Sequence, residues 1–155
     1  MFIFRLQKAL DHREEEEDRL RKEFLLKKNR LDQEKEVLNE IIQLIDVTIH
    51  KFNSIRMGNL NPVSLKNYES YLKKIKNDKT VQEGIIREWH RLTEQAKDNL
   101  IEARKEKKIL EKLKQKKLDI YKLEKLKEEQ KFIDELSNSM YNNRRNSYEE
   151  REKRS

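Results

Sequence analysis

A hydrophobic repeat of alternating four- and three-residue steps, carried on both sides of one breaker cluster, constrains this chain more than any other feature. From Leu6 it passes through Leu10, Arg13, Glu17, Leu20, Phe24, Lys27, Leu31, Glu34, Leu38, Ile41, Ile45, Thr48, Phe52 and Ile55. Ten of these fifteen positions are apolar, in a 155-residue chain that is only 34% apolar. A second run starts at Leu65 and passes through Tyr68, Leu72, Ile75, Lys79, Gln82, Ile86, Trp89, Thr93, Ala96, Leu100, Ala103, Lys107 and Leu110, with ten of fourteen apolar. A repeat averaging 3.5 residues puts one narrow apolar seam on each helix, and such a seam is buried only against another helix of the same kind.

The breaker is Arg56-Met57-Gly58-Asn59-Leu60-Asn61-Pro62. Gly58 suits a left-handed residue that closes the first helix. Asn61 before Pro62 suits an N-cap with proline at the first helical position. The expected fold is therefore all-α: two long helices in an antiparallel coiled-coil hairpin. Helix one is expected over about 4–56, the turn over 57–61 and helix two over about 62–136, with 137–155 as a polar mobile tail. Folding back at residue 60 opposes seam residues whose numbers sum to about 120, so Phe52 faces Tyr68, Leu31 faces Trp89, Leu20 faces Leu100 and Leu10 faces Leu110.

Two layers in this register are poor, Ile41 against Lys79 and Leu38 against Gln82. They lie beside Asn77-Asp78 and Gly84, where local distortion or partner contacts are expected, since a mid-helix glycine costs about 1 kcal/mol relative to alanine. Beyond Leu110 the apolar residues lose a single register. With helix one starting near Phe4, its opposite number lies near residue 116. Residues up to about Leu136 then project as a single helix, ~30 Å long at 1.5 Å per residue.

Charged residues make up 43% of the chain and the formal net charge is +7. Residues 1–57 hold twelve basic and twelve acidic side chains, whereas 104–131 hold twelve basic against six acidic. The surplus therefore belongs to helix two. A chain this charged and poor in apolar residues does not build a multilayer core. The absence of cysteine excludes disulfides and thiolate metal sites. No apolar run reaches the ~20 residues of a membrane span, and Met1–Phe4 is too short for the core of a secretory signal, so a cytoplasmic protein is expected.

No constellation points to catalysis. His12, His50 and His90 are scattered along the chain. The five adjacent carboxylates Glu14–Asp18 spread around a helix and read as a solvated acidic face rather than a metal site. Two glycines cannot build a phosphate loop, and a thin hairpin has no cleft that excludes water. No enzyme activity and no cofactor, metal or small-molecule substrate is expected. The Lys-rich stretch 104–131 could neutralise phosphates, but interleaved Glu111, Asp119, Glu124, Glu128 and Glu129 make a solvated helix face the simpler reading. Off the seam, Ile42 and Ile49 lie on one flank and Leu44 on the other, with Tyr71, Val81 and Ile85 in the second helix. They indicate either a wider core or a partner groove.

The segment Phe4-Arg5-Leu6-Gln7-Lys8-Ala9-Leu10-Asp11-His12-Arg13-Glu14, followed by Glu17-Asp18, resembles the N-terminus of the flagellar FliJ proteins. Pro62, Leu65, Tyr68 and Tyr71-Leu72 are similar to that family's post-turn stretch. Ala103–Lys114, with Glu128, Lys131 and Asp134-Glu135, is similar to its late helix. The resemblance covers roughly 1–136, and the chain departs from it in a Lys-rich second helix and a longer tail.

This resemblance implies a non-enzymatic component of the bacterial flagellar type III protein export apparatus, similar to the central stalk of rotary ATPases. Implied partners are a hexameric flagellar export ATPase, a membrane export gate protein and flagellar export chaperones. The implied ATPase contacts are Phe4, Arg5, Leu6, Gln7, Leu10, Arg13, Lys112, Leu113 and Lys114, and the export-gate contacts are Ile42, Ile49, Tyr71 and Ile85. A chain that is a monomer on its own, cytoplasmic but held at the inner face of the cell membrane at the flagellar base, fits this role, as does an effect on motility and chemotaxis. The competing expectation is a basic coiled coil that binds nucleic acid or tethers structures, with affinity falling steeply as salt rises.

Overall fold

A computed structural model of the chain describes residues 1–58 and 61–152, with side chains described through residue 144. It contains two helices, α1 (Gln7–Arg56) and α2 (Pro62–Glu152), which pack on one another as a helical hairpin with no strand among the described residues. Proline at the first position of α2 gives up an N–H that would be unpaired in any case. The Val63 N–H donates to Asn61 Oδ1 at 3.1 Å, so Asn61 caps α2 as its sequence suggests. Gly58 behaves otherwise. No glycine among the described residues has positive φ, and the Gly58 N–H donates to the Ile55 carbonyl at 3.0 Å. The helix ends by tightening its last turn rather than by a left-handed residue. The expected turn 57–61 includes positions 59 and 60, which lie outside the described residues.

Other boundaries also differ from expectation. Helix α1 starts at Gln7 rather than near Phe4, because the Phe4 side chain turns inward and its carbonyl accepts the Gln7 N–H at 3.0 Å. Helix α2 runs to Glu152 rather than ending near 136, so the segment expected as a polar tail is helical as far as that residue. Lack of a seam removes a packing partner, but the stretch contains no glycine or proline to break the helix. Around Asn77–Gly84 the helix is uninterrupted.

The chain divides into two compact units. One comprises Met1–Asp11 with Lys108–Ser155, and the other His12–Lys107. In the second unit, every seam position between Arg13 and Ile55, and between Leu65 and Lys107, is buried or half-buried. Leu31, Ile45, Ile75, Ala96, Leu100 and Ala103 are its buried apolar residues. Contacts between the helices fall in the expected register. The Phe52 and Tyr68 rings lie 6.2 Å apart, the Arg30 guanidinium sits 6.0 Å from the Trp89 ring, and Arg13 pairs with Glu106 at 2.7 Å. In the first unit Phe4 and Leu10 are buried, and the Phe2 ring lies 5.7 Å from Tyr121. From Lys122 to Arg144 every side chain on α2 is exposed.

Polar residues on the seam find partners locally. Thr48 donates to the Leu44 carbonyl and Thr93 to the Trp89 carbonyl, both at 2.7 Å. Half-buried Lys27 and Lys79 lie along the seam and carry their ammonium groups to Glu23 (2.6 Å) and Glu83 (3.7 Å). This one-layer packing predicts a sharp contrast in stability. Leu100→Ala should cost about 2–4 kcal/mol, and Lys122→Ala less than about 0.5 kcal/mol, as measured by denaturant unfolding followed by circular dichroism.

Candidate functional site: two surfaces and a buried carboxylate

The residues expected to contact an ATPase separate into two kinds. Arg5, Leu6 and Lys112 are exposed, and Leu113 and Lys114 are half-buried. Phe4 and Leu10 belong to the core of the Met1–Asp11/Lys108–Ser155 unit and present no surface to a partner. Gln7 donates to Asp11 Oδ1 at 2.7 Å, and Arg13 is held by Glu16 (2.9 Å) and Glu106 (2.7 Å). The usable surface of this unit is therefore its cations. Arg5, Lys8, Lys112, Lys116, Lys117 and Lys122 form no ion pair with another described residue. Among the interleaved acids, Asp119 accepts from Gln115 at 2.9 Å, and Glu128 pairs with Lys125 at 2.6 Å. Farther along the same helix, Leu126, Phe132, Ile133, Leu136, Met140 and Tyr141 are all exposed. They gather on one side of the helix at spacings of three, four and seven residues.

In the His12–Lys107 unit the off-seam apolar residues do not form one patch. Ile42 and Ile49 directly follow seam residues Ile41 and Thr48, whereas Tyr71 and Ile85 directly precede seam residues Leu72 and Ile86. In an antiparallel pair these positions flank the seam on opposite sides. Ile42 and Ile49 are half-buried, which fits a widened core. Tyr71 and Ile85 are exposed, and on their side the register also places exposed Val37, Leu44, Val47 and Val81. Sequence reasoning misses Val37 and Val47, although counting positions from the seam is enough to find them. Among the described residues no group of three His, Cys, Asp or Glu side chains could hold a metal ion.

Glu17 departs from its neighbours in the acidic run. It occupies a seam position, and its side chain is 6% exposed, so it is not part of a solvated face. Lys107 reaches it from α2 at 2.9 Å, Arg104 at 3.1 Å, and Arg21 from its own helix at 2.6 Å. The hydrogen bond from Lys107 is the main cause that holds its carboxyl at about 2, against an ordinary 4.5. Burial pushes the other way, and Arg21 and Arg104 add to the lowering. A second buried carboxylate, Glu34, accepts from the Gln82 amide at 2.6 Å, while its backbone carbonyl accepts from the same amide at 3.0 Å. Arg30 pairs with it at 2.6 Å. The Gln82 layer, poor by apolar matching, is therefore a satisfied polar layer.

A lowered carboxyl pKa stabilises the fold above the unfolded value and loses that contribution as the group is protonated. For Glu17 the window runs from about pH 4.5 down to about 2, and the contribution is about 3 kcal/mol at 1.36 kcal/mol per pKa unit. Denaturant unfolding at pH 5 and pH 2 should show the wild type losing about 3 kcal/mol more than Glu17→Gln. Parallel losses would contradict this role for Glu17.

The family described as Flagellar FliJ protein has a model that matches residues 1–146 of this chain. No curated protein and no solved structure gives a match.

Proposed function

The chain belongs to the flagellar FliJ family, and from that membership we propose that it is a stalk within the ring of a hexameric flagellar export ATPase, linked to the export gate and to export chaperones. As a member of the family it is a component of the flagellar export apparatus. The observation that carries the finer reading is the surface of the Met1–Asp11/Lys108–Ser155 unit. It combines cations that form no ion pair with another described residue and a helix with a row of exposed apolar residues. A ring with an acidic, partly apolar channel complements both, and charge complementarity mainly sets encounter and orientation. Hydrolysis remains the work of the ATPase, to which the stalk contributes shape and charge. The exposed side chains on the Tyr71 and Ile85 flank would meet the export gate.

No helix among the described residues is long and apolar enough to cross a membrane. The proposed location is the cytoplasmic face of the membrane at the flagellar base, held there through the gate protein.

Titrating the purified chain into the export ATPase from the same cells tests the reading. Arg5→Glu with Lys112→Glu should raise the concentration needed for half-maximal stimulation of ATP hydrolysis roughly tenfold, the effect of about 1.4 kcal/mol. The wild-type value should itself rise with salt. Tyr71→Ala with Ile85→Ala should leave stimulation unchanged. Circular dichroism checks that helicity is intact. Loss of stimulation in the Tyr71/Ile85 variant, with the charge-reversed variant unaffected, would reverse the proposed polarity.

A further inference from the structure

An apolar seam with a seven-residue repeat does not by itself choose an alignment. Sliding one helix past the other by one heptad returns seam positions to seam positions. In the observed alignment Ile41 faces Lys79 and Leu38 faces Gln82. One heptad away, Ile41 would face Ile86, Leu38 would face Trp89 and Phe24 would face Ala103. By apolar matching alone, that competitor improves the centre of the His12–Lys107 unit. The slip in the other direction sets Ile41 against Leu72 and Leu38 against Ile75, and it also keeps a largely apolar seam.

Buried charge separates these alignments. Glu17 is met across the seam by Lys107 and Arg104 at 2.9 and 3.1 Å, and Glu34 by the Gln82 amide at 2.6 Å. With the observed contacts carried one heptad along, the first slip puts Trp89 where Gln82 meets Glu34 and Glu111 where Arg104 meets Glu17, with Lys114 in the place of Lys107. The second puts Leu100 where Lys107 meets Glu17 and Ile75 where Gln82 meets Glu34, with Lys97 in the place of Arg104 and Lys79 opposite Glu34. Either slip removes at least one α2 partner from a buried carboxylate and leaves it to lean on Arg21 or Arg30 of its own helix, and a buried charge short of partners is costly. The same pairs add little stability over apolar residues of similar size, because desolvation offsets their attraction.

We propose that Glu17 and Glu34, with their partners Arg104, Lys107 and Gln82, are register-determining residues that select one alignment of α1 and α2 among several the apolar seam allows. Relative to apolar residues of similar size, what they add is specificity rather than stability. It is independent of the export function, since it concerns only how the two helices of the His12–Lys107 unit align.

The chain has no cysteine, so a pair of spin labels can be placed cleanly. Lys22 and Lys76 are exposed and form no ion pair with another described residue. With both changed to labelled cysteine, a one-heptad slip moves the labels axially by about 10 Å at 1.5 Å per residue. The turn also resists slipping, so the comparison is made with a flexible Gly-Ser insert after Gly58. With Glu17, Glu34 and Gln82 intact, pulsed electron spin resonance should give one distance. In the Glu17→Leu, Glu34→Leu, Gln82→Leu variant a second distance, shifted by about 10 Å, should appear while helicity and melting temperature are maintained. A single distance in the triple variant would show that the apolar seam sets the register. Two distances in the intact protein with the insert would show that the turn does. Loss of helical structure in the triple variant would show that these residues supply stability, which also overturns the proposal.

Discussion

Everything in this molecule follows from the need of a narrow apolar seam to find a second seam. A helix with a 3.5-residue repeat and 43% charged residues overall cannot be stabilised by propensity alone. A short turn after Arg56 supplies the partner within the same chain. The result has one layer of packing, so Leu31, Ile75, Ala96 and Leu100 carry burial that a globular domain would spread over several layers. The rest of the surface is left to charge.

That economy explains why polar residues on the seam matter. Each apolar layer tolerates shifts by whole heptads, whereas the observed alignment is the one that gives Glu34 the Gln82 amide and Glu17 both Arg104 and Lys107. Glu17 and Glu34 stand where the apolar pattern lapses, and their ion pairs and hydrogen bonds account for those lapses. The same logic separates structural from available charge. Arg13, Arg104 and Lys107 are engaged with carboxylates, while Arg5, Lys112, Lys116 and Lys117 pair with no other described residue. The stalk role proposed above would draw on that division, with a rigid seam and an attractive surface.

The two helices, the cap at Asn61 and the seam register are legible from period and punctuation, because each depends on local sequence. Legibility fails where a local rule is overridden. Gly58 could adopt positive φ, yet a tightened last turn satisfies the same backbone groups. Phe4 looks like a helical contact residue but is buried by a non-helical entry into α1. The Glu14–Asp18 run reads as one solvated face, although Glu17 falls on the seam and a count of the repeat places it inside. For the candidate partner surfaces, residue type alone picks out the off-seam apolar side chains. Only their position before or after a seam residue separates the flank of Ile42 and Ile49 from that of Tyr71 and Ile85.

A seam buried within one chain is the condition on which the hairpin, its register and its free surfaces all rest. Thermal unfolding measured across a hundredfold range of protein concentration tests it most directly. An intrachain hairpin unfolds without dissociating, so its melting temperature should stay constant across that range. A melting temperature that climbs with concentration would mean that the seam is buried between chains, and the single-chain hairpin would be wrong.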